Sequence, residues 1–194
     1  QHLQMRWSLF DEKERHERFD TFAKNLIQQI DTLSAIAGEF SSFAKLGEAD
    51  FKEIDLKEII KSAVEVYNWT NGVEVVFQSD HDLNVHGDKD QMLRVFNNLI
   101  KNAIQAIPSS RNGIVKVYTE RDAEFLKIVV EDNGKGISKE NYNRIFVPNF
   151  TTKNSGMGLG LAMVQKIIEN MGGQIYFETK EEMGTKFIIE LKIQ

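Results

Sequence analysis

The stretch Val129-Val130-Glu131-Asp132-Asn133-Gly134-Lys135-Gly136-Ile137 decides how this chain is read. Leu126–Glu131 has the apolar, β-branched character of a strand, and the strand ends in an aspartate. Two glycines spaced by one residue follow it. A carboxylate at a strand end can accept a hydrogen bond from an exocyclic amine, and glycines let the backbone approach a flat ligand without Cβ interference. An ordinary Asn-Gly turn would use the same letters, so the motif needs company.

Company is found on both sides. Downstream runs Ile145-Phe146-Val147-Pro148-Asn149-Phe150-Thr151-Thr152-Lys153-Asn154-Ser155-Gly156-Met157-Gly158-Leu159-Gly160-Leu161. It is an irregular segment that leads through three alternating glycines into a helix at Leu159–Met171. Bare backbone N–H groups at the positive end of a helix suit phosphate oxygens, and Thr151, Thr152 and Lys153 add hydroxyls and a cation. It is not a P-loop, because no GxxxxGK[ST] occurs. The same glycines could simply pad close helix packing. Upstream, Asp88-Lys89-Asp90-Gln91 is a capping box that opens a helix running to Ile107 and stopped by Pro108. On it Asn98, Asn102 and Gln105 stand at i, i+4, i+7 and form one polar stripe beside Lys101, opposite Leu93, Phe96, Ile100, Ala103 and Ile107. An Asn carbonyl is a neutral oxygen ligand suited to Mg²⁺ bound with phosphates; a solvated helix face would look alike. Last, Met183-Gly184-Thr185 occupies the turn between the closing strands Gln174–Glu178 and Lys186–Lys192.

The remaining elements alternate between strand and helix. Phe51–Ile54 and Asn84–His86 read as short strands, and Asp55-Leu56-Lys57-Glu58 as a capping box for a helix with Ile59, Ile60, Ala63, Val64 and Tyr67 on its apolar face. Val73–Gln78 follows the Asn71-Gly72 turn, and Ile114–Thr119 pairs with Leu126–Glu131. Gly172-Gly173 closes the last helix.

Residues 1–46 differ in kind. They hold only one of the thirteen glycines, whereas eight lie between Gly134 and Gly184. Ala23, Ile30, Ala37 and Ala44 recur every seven residues, and Phe19, Leu26, Leu33 and Phe40 form an offset second series. Such a seam over residues 16–46 predicts a helix packed on a partner helix, or else one long helix lying on the following domain. Residues 1–7 read as the end of a preceding helix, Ser8–Arg15 as a polar turn, and Gly47–Asp50 as the hinge.

Composition excludes several classes. The chain has 194 residues, 41% hydrophobic and 27% charged, enough apolar material for a core. A net charge of −5 argues against nucleic acid or anionic lipid as partners. No apolar run approaches 18 residues, and zero cysteines exclude disulfides and thiolate chemistry. The opening QHLQMRWSLF carries neither an initiator Met nor a signal pattern, so the chain reads as an excised piece.

Taken in order, the four motifs resemble the N, G1, F and G2 boxes of the sensor histidine kinase catalytic domain, with wording most similar to nitrogen-regulation kinases of the NtrB and NtrY type. The resemblance covers residues 51–194. It implies an α+β fold, the Bergerat-type α/β sandwich of gyrase B, MutL and the heat-shock chaperones, with a mixed sheet covered by helices. It also implies that residues 1–46 are part of a helical dimerisation region, making a homodimer through the helix at 16–46. By the same resemblance the cofactors are ATP and Mg²⁺, the partner is a response regulator, and the chain is cytoplasmic, its parent a bacterial inner-membrane sensor. Asn102 would hold Mg²⁺ and Asp132 the adenine amine. Gly134, Gly136 and Ile137 would line the base, with Thr185 beside it. Asn98, Lys101 and Gln105 would face the nucleotide from the helix. Phe150–Gly160 would be the lid over the phosphates, with Thr151, Thr152, Lys153, Gly156, Gly158, Leu159 and Gly160 binding ATP from it together with Leu161.

Three departures stand out. Many family members carry a basic residue where this chain has Gln105, and an aromatic where it has Asn149. The H box, H-E-x-x-[NT]-P, is missing: His16-Glu17 continues Arg18-Phe19-Asp20-Thr21, and His2, His81 and His86 read as polar surface or turn residues. The phosphoacceptor and its acidic base are therefore expected outside this sequence. A glutamate four residues before the Mg²⁺-binding asparagine serves the resembled ATPases as a base. Here that position is Asn98, which favours a kinase over an ATPase.

Overall fold

The computed structural model describes residues 12–44, 49–68, 72–80, 82–121, 124–153 and 157–192. A long helix α1 (Glu12–Ala44) precedes the α/β unit. That unit runs β1 (Lys52–Asp55), α2 (Leu56–Tyr67), β2 (Val73–Gln78), β3 (Asn84–Gly87), α3 (Lys89–Ala106), β4 (Gly113–Arg121) and β5 (Phe125–Asp132). A 3₁₀ turn (Lys139–Asn141), α4 (Gly160–Asn170), β6 (Gln174–Lys180) and β7 (Gly184–Lys192) complete it.

Five strands form a mixed sheet in the order β2-β4-β5-β7-β6, with β2 parallel to β4 and every other pair antiparallel. Strands β1 and β3 make a separate antiparallel pair. The period of two decides which face of the sheet is covered. Leu126, Ile128 and Val130 of β5 and Phe187, Ile189 and Leu191 of β7 join the core with Leu56, Ile60, Phe96, Leu99, Ile100, Ile167 and Ile168 from the three helices. The opposite face carries charge ladders, with Lys186 Nζ 3.7 Å from Glu131 and Lys127 Nζ 3.6 Å from Glu190. This is the expected α+β architecture, a mixed sheet with its helices on it and a helix in front.

Helix ends follow local chemistry. Asp55 caps α2 by accepting from the Lys57 N–H at 2.8 Å. Asp88 caps α3 with Oδ1, which accepts from Gln91 N–H at 3.0 Å, while its Oδ2 accepts from Asp50 N–H at 2.9 Å. One carboxylate thus ties the chain entering the domain to the start of α3. At the end of α4, Gly172 N–H bonds Glu169 C=O and Gly173 N–H bonds Ile168 C=O, the Schellman pattern that the Gly172-Gly173 pair predicts.

The N-terminal expectation needs correction. The polar run Ser8–Arg15, expected as a turn, is helical over its described residues, from Glu12 onward. Residues 1–7, Ser8–Asp11 and the first half of the expected hinge lie outside the described residues. In α1 the seam is not buried on the domain. Phe19, Phe22, Leu26, Ile27, Ile30, Leu33 and Phe40 are 49–63% exposed. No helix of the described residues is long and apolar enough to cross a membrane.

Candidate functional site

The strand-end aspartate sits where the core meets an open cavity of about 540 Å³, a volume in the range of small-molecule sites. Asp132 ends β5 opposite Thr185 of β7 and is 5% exposed. Its Oδ1 accepts from Gly134 N–H at 2.7 Å. Burial raises its pKa from 3.8 to about 6, opposed by hydrogen bonds from the Gly134 and Thr185 backbones, with the nearby Glu131 charge pushing the same way as burial. The protonated form is thus favoured in the fold. Its stabilising contribution is full below about pH 4 and is lost as pH rises through about 6, leaving the carboxylate ionised at neutral pH at a cost on the order of 3 kcal/mol.

The neighbouring residues hold this carboxyl in place. Asn133 extends the β4–β5 ladder with its side chain: Oδ1 accepts from Ile114 N–H and Nδ2 donates to Asn112 C=O, both at 2.9 Å. The Asn-Gly pair is therefore a sheet clamp rather than a plain turn. Gly184, at φ 119°, lies so close to the Asp132 carbonyl that a Cβ would collide with it. Thr179 of β6, paired in register with Thr185, shares a 3.0 Å hydroxyl–hydroxyl contact with it and accepts from Ile137 N–H at 3.0 Å.

At the other end the polar stripe of α3 meets the irregular segment after Pro148. Lys153 Nζ donates to Asn102 Oδ1 at 2.7 Å and to Gln105 Oε1 at 2.6 Å. Two neutral carbonyl oxygens already converge on a cation here. The departure at Gln105 thereby gains a physical account: the positive charge comes from Lys153 instead of from the helix. Asn149 stands at φ 64°, a left-handed conformation that Asn tolerates far better than an aromatic residue does. Asn98 Nδ2 donates to Arg94 C=O at 2.9 Å, and a Cβ on Gly160 would press on its Oδ1.

Nearly all the expected residues converge. Asn98, Lys101, Asn102, Gln105, Asp132, Gly136, Ile137, Thr151, Thr152, Lys153, Gly158, Gly160, Leu161 and Thr185 line the one cavity. Gly134 and Leu159 lie behind its wall, Gly134 supporting Asp132 and Leu159 buried ahead of α4. Gly156 lies outside the described residues. Sequence reasoning missed Lys135, Ser138, Asn141, Ile145, Glu181, Glu182 and Phe187, which also line it, and Thr179 behind it. Only register along β6 and β7 could have pointed to Thr179. Among the described residues no group of three or more His, Cys, Asp or Glu side chains could hold a metal ion. The two described histidines are remote in kind: His16 is exposed beside Asp20 on α1, and His86 stacks on Phe51. His2 and His81 lie outside the described residues.

A cavity with a fixed carboxylate at one end and cation-holding oxygens at the other suits a ligand with an amine-bearing ring and a polyanionic tail. Residues 87–194 match the model of the histidine kinase-, DNA gyrase B-, and HSP90-like ATPase family. Similar proteins include the sensor histidine kinase ZraS of Escherichia coli K12, 31% identical over 88% of this chain and 37% of that protein. Nitrogen regulation protein NtrY of Azorhizobium caulinodans is 36% identical over 92% of this chain and 24% of that protein. The chain spans between 24 and 38% of the length of such curated relatives. Among solved structures, the catalytic domain of histidine kinase ThkA superposes with a TM-score of 0.66 at 34% identity, covering 74% of this chain and 97% of that one. ThkA in complex with the response regulator protein TrrA matches with a TM-score of 0.72 at 28% identity, over 100% of this chain and 56% of that one. With the sheet, the order of motifs and more than half of the sequence in agreement, this chain belongs to the histidine kinase-, gyrase B- and HSP90-like ATPase family.

Proposed function

We propose that this chain is the ATP-binding catalytic core of a sensor histidine kinase, which transfers the γ-phosphate of ATP to a histidine outside this sequence and from there to a response-regulator aspartate. The observation that carries the reading is the single cavity lined by both Asp132 and the Asn102–Gln105–Lys153 cluster. Asp132 and Thr185 would take the adenine amine, with Gly134, Gly136 and Ile137 along the base. Thr151, Thr152, Lys153, Gly156, Gly158, Leu159, Gly160 and Leu161 would cover the phosphates, with Asn98, Lys101 and Gln105 on the helix side. Asn102 would hold Mg²⁺, which neutralises phosphate charge when bound. The convergence of Asn102 Oδ1 and Gln105 Oε1 on an ammonium supports that fit. An imidazole nitrogen would then attack the γ-phosphorus as the bond to the β–γ bridging oxygen breaks and ADP leaves. Asn98, a neutral amide bonded to the Arg94 carbonyl, has no basic lone pair to activate water, which weighs against a hydrolytic ATPase.

The heptad seam of α1 would pair two copies of the chain, and residues 1–46 would be part of the dimerisation region. The chain would then work on the cytoplasmic side of an inner-membrane sensor.

Four outcomes test the reading. The carboxylate form of Asp132 is the acceptor, so acid should weaken ATP binding. With a pKa of about 6, affinity should fall about tenfold from pH 7 to pH 5. Asp132→Asn should bind about 10- to 150-fold more weakly at pH 7 and lose that protein-linked pH step. Calorimetry of both forms shares the titration of ATP itself, so parallel profiles would refute Asp132 as the acceptor.

Asn102→Ala should abolish the strengthening of ATP binding by Mg²⁺ while leaving metal-free binding nearly intact. Undiminished Mg²⁺ enhancement in that variant would place the ligand elsewhere.

Ile30→Asp combined with Leu33→Asp puts charges into the α1 seam and should shift a weak, concentration-dependent dimer to monomer in sedimentation velocity. An unaltered distribution argues against the seam.

Finally, the chain should bind ATP without labelling itself, since no histidine here stands in an H box. Incubated with γ-labelled ATP, it should acquire no acid-labile phosphate until joined to a relative's H-box helix. Stoichiometric label lost on mutating His16 would overturn the assignment of the acceptor.

A further inference from the structure

Arg111 lies in the loop between α3 and β4, outside the cavity wall, and its guanidinium reaches three backbone or side-chain oxygens. Nη1 donates to the Asn133 carbonyl at 2.6 Å and to the Gly134 carbonyl at 2.7 Å, and Nη2 to Glu182 Oε2 at 3.3 Å. The side chain is 30% exposed, so these bonds are partly shielded from water.

One of the three is special. The Asn133 carbonyl and the Gly134 N–H belong to the same peptide unit. Arg111 grips that unit by its oxygen, and its N–H holds Asp132 Oδ1 at 2.7 Å. A cation on the carbonyl polarises the peptide, strengthens its N–H as a donor and fixes the plane in which it points. The third bond steadies Glu182, which sits at φ 62° two residues before Gly184-Thr185 and whose N–H bonds the Lys135 carbonyl at 2.8 Å. Both sides of the Asp132 carboxyl, the Gly134 loop and the turn leading to Thr185, are therefore drawn to one guanidinium.

We infer that Arg111 is a positioning residue for base recognition: it orients the 133–134 peptide that aims the Asp132 carboxylate at the ligand's exocyclic amine. The inference rests on the reading of Asp132 as the acceptor of that amine. Lysine could not replace the planar fork across all three oxygens.

The test is the preference for ADP over inosine diphosphate, measured by calorimetry on the full chain. The inosine ring presents a carbonyl where adenine presents the amine, so an aimed carboxylate discriminates between them. The parent should bind ADP at least about tenfold more tightly than inosine diphosphate. Arg111→Met, which keeps the apolar stem, should lose roughly tenfold in ADP affinity with inosine diphosphate changed less than about twofold. A merely structural loss would weaken both ligands together and preserve the ratio, and a preserved ratio overturns the inference. If Arg111→Met folds poorly by its melting transition, Arg111→Gln, polar but too short to reach both carbonyls, is read in the same way. A parent that binds both diphosphates equally refutes the Asp132 reading beneath the inference, an outcome distinct from a variant that keeps the parent's preference.

Discussion

A carboxylate at the edge of an apolar core is the constraint on which this structure turns. Burial pushes the Asp132 carboxyl up to a pKa of about 6, and two backbone N–H groups pull the other way. The Gly134 donor is local to the end of β5, whereas the Thr185 donor is available only because the start of β7 lies against it. The meeting is so close that residue 184 has no room for a side chain beside the Asp132 carbonyl. The ladder from Asn133 to β4 and the hydroxyl pair of Thr179 and Thr185 then hold the segments in register. Energy is spent here for chemistry, since a protonated or apolar residue would suit folding better at pH 7.

The second half of the site has the opposite construction. Helix α3 is anchored by Met92, Val95, Phe96, Leu99, Ile100 and Ala103, all buried against the sheet. Its stripe of Asn98, Asn102 and Gln105 is rigid because the other face of the same helix is core. The wall facing it is irregular, formed by Phe150–Lys153 and the turn before α4, and joined to the stripe through Lys153. A stiff acceptor surface opposite a segment with few regular backbone bonds is a sound division for a site that must admit and enclose a polyanion.

Most of this was legible in the sequence because each piece has a local signature. Strand alternation, the caps at Asp55 and Asp88, the Gly172-Gly173 stop and the carboxylate before paired glycines all lie within windows of a few residues. What was missed depends on long-range registry. Thr179 matters only because β6 places it opposite Thr185, and Arg111 reads as a solvated loop cation until the 133–134 peptide is seen against it. Lys153 was named for phosphates, but its bonds to Asn102 and Gln105 across some fifty residues follow from the fold alone. At the N-terminus the polar letters of Ser8–Arg15 read as a turn, yet the chain is helical from Glu12 over the described residues.

The two parts of the chain obey different stability rules. In the α/β unit, large apolar side chains such as Phe96, Leu56, Ile60 and Ile189 are wholly shielded, and each contributes the roughly 1.5–3 kcal/mol expected of a buried residue of that size. In α1, Leu26, Ile30, Leu33 and Phe40 remain about half exposed or more, so that gain is largely unrealised. Intrinsic propensity does not compensate, because an isolated helix in water is marginal and draws most of its stability from packing one apolar face. The α/β unit therefore carries its own core, whereas the apolar seam of α1 stays exposed among the described residues. Asp88 stands at the junction of these regimes, capping α3 with one oxygen and holding the incoming backbone at Asp50 with the other.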